Sequence, residues 1–190
     1  PCRVYCTPVN WKGEFRMERF RYNNEYLNTV YDLMRDPAVQ SMSWLPQHRA
    51  GVSCYDHCVL VSYSSWRVCR ALGFNHRAAA RGGLLHDFYL YNWRDRSSHP
   101  GVRHAWAHPD IALNNARARF AVTDTEADII RSHMFPLTLT KPHHTPEAVV
   151  VGMMDKLCAL AELLGLVPKG EALPRPLWQD ADWRPVRRAG

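Results

Sequence analysis

NHRAAARGGLLHD, residues 75–87, predicts a helix that carries a histidine and an aspartate near its C-terminal end. Asn75 is a favourable N-cap, because its side chain can accept a hydrogen bond from the first helical turn. Leu84 and Leu85 indicate burial at the other end, directly before the two ionisable residues. An ionised aspartate is rarely buried without a partner, and a bound cation would supply one. This stretch therefore predicts a packed helix that delivers a cation-binding side chain, Asp87.

Two glycines, Gly82 and Gly83, lie inside this predicted helix, which we expect to run on to Phe88. Glycine in a helix interior costs about 1 kcal/mol relative to alanine, so the pair requires a structural reason. Close approach of another backbone would supply that reason, because a glycine has no side chain in the way.

The flanking sequence predicts further helices. Ser53 followed by Asp56 resembles a capping box, and the helix that it begins is expected to end at Gly73. Pro109 suits the first position of another helix, because a residue at that position needs no N–H donor.

Two more helices are predicted towards the end of the chain. Thr123 and Glu126 form the clearest capping box in the sequence, and they begin a helix that runs through His133. Thr145 is expected to cap a last helix that ends near Gly165. No segment shows the alternation of a strand, an internal repeat or a βαβ pattern, so we predict an all-α fold.

A chain of 190 residues is long enough for one substantial core, and we expect one domain. Residues 1–46 are predicted to form an extension with short helices, 47–166 the folded domain, and 167–190 a Pro/Trp/Arg-rich tail. Trp178 and Trp183 favour packing of that tail against the main body. With 46% hydrophobic residues and no apolar run of about 18 residues, the chain is expected to be soluble, without a membrane span.

Charge and cysteine content set expectations about partners and location. The formal charge of +6 and the pI near 9.2 suit phosphorylated small molecules, nucleic acid or anionic lipid. The positive charge is spread along the chain apart from Arg184, Arg187 and Arg188, so nucleic acid is disfavoured. Six cysteines are too sparse for a disulfide scaffold, and no signal core begins the chain, so a cytoplasmic location is expected. The oligomeric state is left open.

Each predicted helix, or its edge, contributes a side chain that can bind a metal ion. These side chains are His57, His86, Asp87, His108, His133 and Asp155. Helical bundles build metal sites in this way, from ligands that are distant in sequence and converge in the interior. Imidazole nitrogen combined with carboxylate oxygen suits zinc, iron, manganese, nickel or cobalt.

The order His57, then His86-Asp87, then Asp155 resembles the H…HD…D signature of the HD-domain superfamily of metal-dependent phosphohydrolases. A His-Asp dipeptide alone is weak evidence. The upstream helical histidine, the apolar lead-in and the downstream helical aspartate make the combined pattern specific. The resemblance covers about residues 50–165 and implies a single HD-domain helical bundle with N- and C-terminal extensions.

Two further segments, HAWAHP at 104–109 and IRSH at 130–133, resemble the extra histidine elements of two-metal members. The resemblance implies that Asp87 bridges two ions, the second of which is held by His108 and His133. The first ion would have four ligands, His57, His86, Asp87 and Asp155. The implied cofactor is thus one or two divalent transition-metal ions.

The implied reaction is hydrolysis of a phosphate ester or anhydride by a metal-activated water, with Asp87 among the catalytic residues. A cation lowers the pKa of bound water and offsets the charge that develops on the phosphoryl oxygens. The expected substrate is a small phosphorylated metabolite, with a nucleotide favoured.

Three residues are candidates for roles beyond metal binding. His104 lies one turn before His108 if that segment is helical, and could protonate a leaving group or bind metal. Lys156 adjoins Asp155 and is a second catalytic candidate, although neighbours on a helix point in different directions. Arg81 could contact a substrate phosphate. Each also has an ordinary interpretation, as a surface histidine, an outward lysine or an exposed helix arginine.

Departures from the relatives bear on the substrate. Phe88-Tyr89-Leu90 follows Asp87 where members that cleave cyclic dinucleotides carry a nearby lysine, and no Gly-Tyr-Pro occurs. Cyclic dinucleotide hydrolysis is therefore disfavoured. The missing lysine also motivates an alternative, a catalytically weak metal-containing HD protein that binds or senses a phosphorylated ligand.

Other residues of metal-binding or stacking type have simpler interpretations. Cys54 and Cys58 are expected in the core, because no second cysteine pair completes a zinc site. The aromatic residues after Asp87 are expected to pack rather than to stack on a base. The remaining histidines are expected to be structural or exposed; they are His48, His76, His99, His143 and His144.

Overall fold

The structure, a computed structural model, describes residues 23–167, and this part of the chain contains seven α-helices and no strand. The helices are α1 (Asn24–Met34), α2 (Pro37–Ser41), α3 (Cys54–Leu72), α4 (His76–Leu85), α5 (His104–Arg119), α6 (Asp124–Ser132) and α7 (Pro146–Leu163). Short 3₁₀ helices, Met42–Trp44 and Arg96–Ser98, lie in the connections. The predicted all-α fold is confirmed.

Side-chain caps begin the helices where the sequence predicts them. The Ser53 hydroxyl accepts a hydrogen bond from the Asp56 N–H at 3.1 Å, and the Asp56 carboxylate accepts one from the Ser53 N–H. Thr123 and Glu126 form the same reciprocal pair at the start of α6. Gly73 closes α3 with φ of 74°, a left-handed conformation that glycine adopts without strain.

Pro109 is not the first residue of its helix, as the sequence predicted, but lies inside α5. The helix begins one turn earlier, where the Arg103 carbonyl accepts hydrogen bonds from the N–H groups of Trp106 and Ala107. Arg103 contributes no side-chain cap, so the true start carries no local signal. The earlier start places His104 and His108 one turn apart on the same helix.

Each glycine of the pair in α4 lies directly against a neighbouring helix. A Cβ atom added to Gly82 would lie 2.8 Å from Ile129 of α6, and one added to Gly83 would lie 3.0 Å from the Cα atom of Ser62 in α3. These distances leave no room for a side chain without a shift. The expected close approach of another backbone is confirmed at Gly83, whereas Gly82 meets the Ile129 side chain. Helix α4 ends at Leu85 and not at Phe88.

The core surrounds α3 and α4. Helix α3 packs on α4 and α7, whereas α1 and α6 pack on α4. Cys54 and Cys58 are buried in this core, as expected. Residues from α1, including Tyr26 and Leu33, share one apolar cluster with Leu84, so the helices before residue 46 pack against the predicted domain.

The division of the chain at residues 46 and 166 stays a prediction. The tail with Trp178 and Trp183 lies outside the described residues. Within residues 23–167, no helix combines the length and the hydropathy needed to cross a membrane.

We predict that Gly82→Ala destabilises the protein, because the added methyl group overlaps Ile129. Overpacking of this kind costs about 1–3 kcal/mol, and the better helix propensity of alanine recovers less than that. Urea unfolding should show a lower midpoint with an unchanged slope. Arg77→Ala, at an exposed position of α4, is the control and should change the free energy of unfolding by less than about 0.5 kcal/mol. Equal stability of the two variants would contradict the packing argument.

Candidate metal centre

The structure brings the six predicted ligands together in the interior. His57 lies on α3, His108 on α5 and Asp155 on α7, whereas His86 and His133 occupy the C-cap positions of α4 and α6. Asp87 follows His86 directly. None of the six residues is more than 8% exposed. Five helices thus deliver four imidazoles and two carboxylates to one buried cluster.

One group of ligand atoms is formed by His57, His86 and Asp155. Oδ1 of Asp155 lies 3.0 Å from His57 Nε2 and 3.6 Å from His86 Nε2. Oδ2 of Asp87 lies 3.5 Å from the same His86 nitrogen. These four side chains are the set that the resemblance implies for the first ion.

A second group lies on the other side of Asp87. The Oδ1 atom of Asp87 is 3.3 Å from His108 Nε2 and 3.6 Å from His133 Nε2. The two histidine nitrogens are 2.9 Å apart. His86, Asp87 and His133 also lie close enough together to hold an ion. The two oxygens of Asp87 therefore face different groups, which is the arrangement that a bridging carboxylate needs.

Backbone carbonyls determine which nitrogen of three histidines is free to bind a cation. Nδ1 of each lies 2.8 Å from a carbonyl oxygen of its own helix. A carbonyl can only accept, so Nδ1 carries the proton and Nε2 keeps its lone pair. The pairs are His86 with Gly83, His108 with His104, and His133 with Ile130.

The chemistry of these nitrogens fits a metal ion. His86 Nε2 is buried without a hydrogen-bond partner, which is costly for a polar atom. The Nε2 atoms of His108 and His133 face each other at 2.9 Å, and two lone pairs cannot hydrogen-bond to each other. A cation among these nitrogens would satisfy all three, so the buried His and Asp groups could hold a metal ion.

The ionisable groups of the cluster shift one another's pKa values. Burial alone would raise the pKa of Asp87 and of Asp155, but the neighbouring histidines outweigh it and hold both pKa values well below the ordinary range. Burial lowers the pKa of His133 to about 3, reinforced by His86. Burial also opposes charge on His57, yet its hydrogen bonds to two carboxylates raise its pKa. The carboxylates are thus ionised at neutral pH, as metal ligands must be.

Glu162 is a functional candidate that sequence reasoning missed. Its Oε1 atom accepts a hydrogen bond from His57 Nδ1 at 2.8 Å, which turns Nε2 of that ring towards Asp155. A carboxylate behind a ligating histidine fixes its orientation and makes it a stronger ligand. A signal was present, because Glu162 lies seven residues after Asp155 and therefore on the same face of α7.

Gln47 was also missed. Its Nε2 group donates to Asp87 Oδ2 at 2.8 Å, and its Oε1 atom accepts from the Tyr89 hydroxyl at 3.2 Å. The side chain is buried, and it lies outside any helix, so no periodic pattern marks it. Gln47 orients the carboxylate that faces both groups.

His48 lies nearer to the cluster than expected. It is exposed, as predicted, but its ring is 5.1 Å from that of His57, and with Glu162 these residues form a third group that could hold an ion. Glu162 already bonds His57 Nδ1, so this group competes for a nitrogen that is in use.

His104 lies at the edge of the cluster and is half-buried. Its ring stacks on His108 at 4.6 Å and on Trp93 at 5.5 Å, and its Nδ1 atom is 2.9 Å from the Tyr91 hydroxyl. Burial, reinforced by His108, lowers the pKa of His104 to about 4, so the ring is neutral at pH 7. Its role in catalysis stays a prediction.

Lys156 and Arg81 make contacts with the protein itself. Lys156 Nζ donates to the carbonyls of His133 and Gly152 at 2.8 and 2.9 Å, so it braces a predicted ligand through the backbone. The Arg81 guanidinium pairs with Glu126 at 3.0 Å and with Asp32 at 2.6 Å. These contacts account for Arg81 as a link between α1, α4 and α6, and its proposed contact with phosphate remains untested.

Three histidines that were expected to be structural or exposed have partners within the protein. His76 pairs with Glu25, and His143 bonds the Ser132 hydroxyl. His99 stacks on Tyr91. The aromatic residues after Asp87 pack into or against the main apolar cluster, as predicted.

Comparison with protein-family models, curated proteins and solved structures found no significant match. The resemblance to HD phosphohydrolases therefore rests on the residues of this chain and on the geometry of its buried cluster.

We predict that His86→Gln removes most of the bound metal, because His86 Nε2 belongs to both groups of ligand atoms. Elemental analysis of protein purified without chelator should find transition metal in the parent chain and a large loss in the variant. His144→Gln, at an exposed histidine, is the matched control and should retain the parent content. A parent chain without metal, even after incubation with zinc, manganese or iron(II), would refute the metal centre.

Gln47→Leu should weaken metal binding by about 10–100-fold, which is the usual cost of losing a group that orients a ligand. The substitution removes the donor to Asp87 and the acceptor for Tyr89 at nearly constant volume. Competition with a fluorescent chelator gives the dissociation constants. Gln40→Leu is the control, since the Gln40 amide donates to a backbone carbonyl of α1. Equal affinities in both variants would exclude a positioning role for Gln47.

Proposed function

We propose that this chain is a metal-dependent phosphohydrolase of the HD type. In this proposal it hydrolyses a phosphate ester or anhydride of a small metabolite, with a nucleotide as the favoured substrate. The observation that carries the proposal is the position of Asp87, whose Oδ2 atom lies near His86 and whose Oδ1 atom lies near His108 and His133. Core packing alone does not explain two ionised aspartates among four buried imidazoles, because buried charges require partners.

We assign one ion to His57, His86, Asp87 and Asp155, and a second to Asp87, His108 and His133. The mixture of imidazole and carboxylate ligands favours iron, manganese, zinc, nickel or cobalt. When bound, such ions supply an activated water and offset the charge that develops on phosphoryl oxygens. Asp87 would have a catalytic role because it would be a ligand at both positions.

Four further residues would position the metal ligands or contact the substrate. Glu162 orients the His57 ring through Nδ1, and Gln47 orients the Asp87 carboxylate. His104 lies next to His108 at the edge of the cluster, where it could bond the leaving group. Lys156 supports the loop that begins at His133.

The four described cysteines, Cys54, Cys58, Cys69 and Cys158, are buried free thiols, which supports a reducing compartment such as the cytoplasm. The overall charge of +6 favours a negatively charged substrate.

Asp87→Asn should reduce phosphohydrolase turnover by about 10³-fold or more, because it removes the charge that serves both ions. The measurement is phosphate release from a panel of nucleotides and generic phosphoesters, repeated with each metal found in the protein. Asp32→Asn is the matched control, since Asp32 is largely exposed and pairs with Arg81. Undiminished turnover by the Asp87 variant would reject the proposed mechanism.

The same panel separates the enzyme from a sensor. Tight binding of a phosphorylated ligand without product would favour a catalytically weak HD protein. If the metal-loaded chain shows no binding and no turnover with any member of the panel, both functions are refuted.

A further inference from the structure

Helix α7 turns its acidic residues inward. Glu147, Asp155 and Glu162 are each at most 8% exposed. The Glu147 carboxylate accepts a hydrogen bond from the Asn75 N–H, and the other two carboxylates bond the two nitrogens of His57. The helix packs on α3, α4 and α6. Its acidic side chains are therefore engaged inside the protein and do not hydrate its outer side.

The outer face of α7 is apolar. From position 149 to position 164, every exposed residue except Lys156 is a large apolar one. At 3.6 residues per turn, these apolar side chains share an arc of about 120°. The Lys156 amine is folded onto the carbonyls of His133 and Gly152. The apolar residues that form the outer face are Val149, Met153, Leu157, Leu160, Leu163 and Leu164.

An apolar stripe of this width on a helix normally faces a core, with polar residues on the solvent side. Contiguous apolar surface that stays exposed on a folded chain marks an interaction site. The outer face therefore requires an occupant. The candidates are another part of this chain, a second copy of the chain and a lipid surface.

The chain leaves α7 at one end of the outer face. Gly165 has φ of 73°, and its N–H donates to the Glu162 carbonyl, whereas the Leu166 N–H donates to the Ala161 carbonyl. These two hydrogen bonds form a Schellman motif, which ends a helix and turns the chain off the helix axis. Leu166 is 74% exposed and follows Leu164, the last residue of the outer face, by two positions. The segment after α7 therefore starts beside the apolar surface.

Residues 168–190 supply enough chain to cover the outer face. From position 149 to position 164 the face is about 22 Å long, because a helix rises 1.5 Å per residue. An extended chain covers that length with about seven residues. The segment has 23 residues, so it can run the full length of the face with residues to spare.

The composition of residues 168–190 suits an extended segment with apolar anchors. Prolines at positions 168, 174, 176 and 185 disfavour a continuing helix. The large apolar residues of the segment are Leu173, Leu177, Trp178, Trp183 and Val186. Trp178 and Trp183 offer the largest apolar area, because tryptophan has the largest side chain.

We propose that residues 168–190 fold back on the outer face of α7 and cover it, with Trp178 and Trp183 as the anchoring side chains. Covalent continuity favours this occupant over a second copy. A segment joined to the face by a short linker is present at an effective concentration in the millimolar range, above that of separate chains at micromolar concentration. The N-terminal residues 1–22 lead instead into α1, which packs on α4. This contact is independent of the proposed enzymatic activity.

The test is limited digestion of the full chain with chymotrypsin, which cleaves after aromatic residues and therefore after both anchors. Mass spectrometry identifies the two products, which end at Trp178 and Trp183. In the parent chain at about 1 μM, both bonds should be cleaved at least about 10-fold more slowly than in a free peptide of residues 168–190. The physical reason is that a protease needs the segment released from the face.

Leu157→Lys and Leu160→Lys should each bring the cleavage rate within about 3-fold of that of the free peptide, because each places a charge in the apolar contact. Trp44→Lys, at an 88% exposed residue outside α7, is the control and should protect both bonds as the parent does. Far-ultraviolet circular dichroism that matches the parent shows that the variants fold. Leu160→Ser is a milder second variant and should accelerate cleavage without adding charge.

Cleavage of the parent at the rate of the free peptide would overturn the proposal, as would protection that the α7 variants leave unchanged. Three further results would also overturn it by identifying another occupant. Dimers in sedimentation equilibrium that Leu160→Lys dissociates would assign the face to a second copy. Binding to vesicles of phosphatidylcholine and phosphatidylserine that Leu160→Lys abolishes would assign it to lipid. Cleavage within residues 1–22 that accelerates in the α7 variants would assign it to the N-terminal segment.

Discussion

The burial of two aspartates among four histidines is the constraint on which the rest of the structure depends. Asp87 and Asp155 are ionised at neutral pH, and their charge must be balanced inside the protein. The balancing groups come from α3, α4, α5 and α6, so four helices must meet α7 at one place. The charged interior is therefore stable only when these helices pack together. A metal ion fits this interior because the ionised aspartates and the histidine nitrogens can bind it.

The C-terminal ends of α4 and α6 orient two of the predicted ligands. The last carbonyls of a helix lack partners within the helix. His86 and His133 occupy such ends, and each satisfies a carbonyl three residues earlier with its Nδ1 proton. The same hydrogen bond that caps the helix therefore turns Nε2 towards the cluster. The glycine pair of α4 brings this end close to its neighbours.

Features with local causes, and the six ligands that match the family pattern, were predictable from the sequence, whereas hydrogen bonds between distant residues outside that pattern were not. The capping box at Ser53 depends on residues within one turn, and it was found. The start of α5 was mispredicted, because Arg103 carries no cap and Pro109 offered the nearest signal. The bond from Gln47 to Asp87 spans forty residues and begins outside any helix, so only the folded structure reveals it.

His86 has one available nitrogen, yet that nitrogen lies within reach of both groups of ligand atoms. One lone pair cannot serve two cations at the same time. If the cluster holds two ions, the one that binds His86 would therefore leave Asp87, His108 and His133 as ligands for the other. Under the proposed function the two positions would then differ in affinity, because a single imidazole cannot serve both.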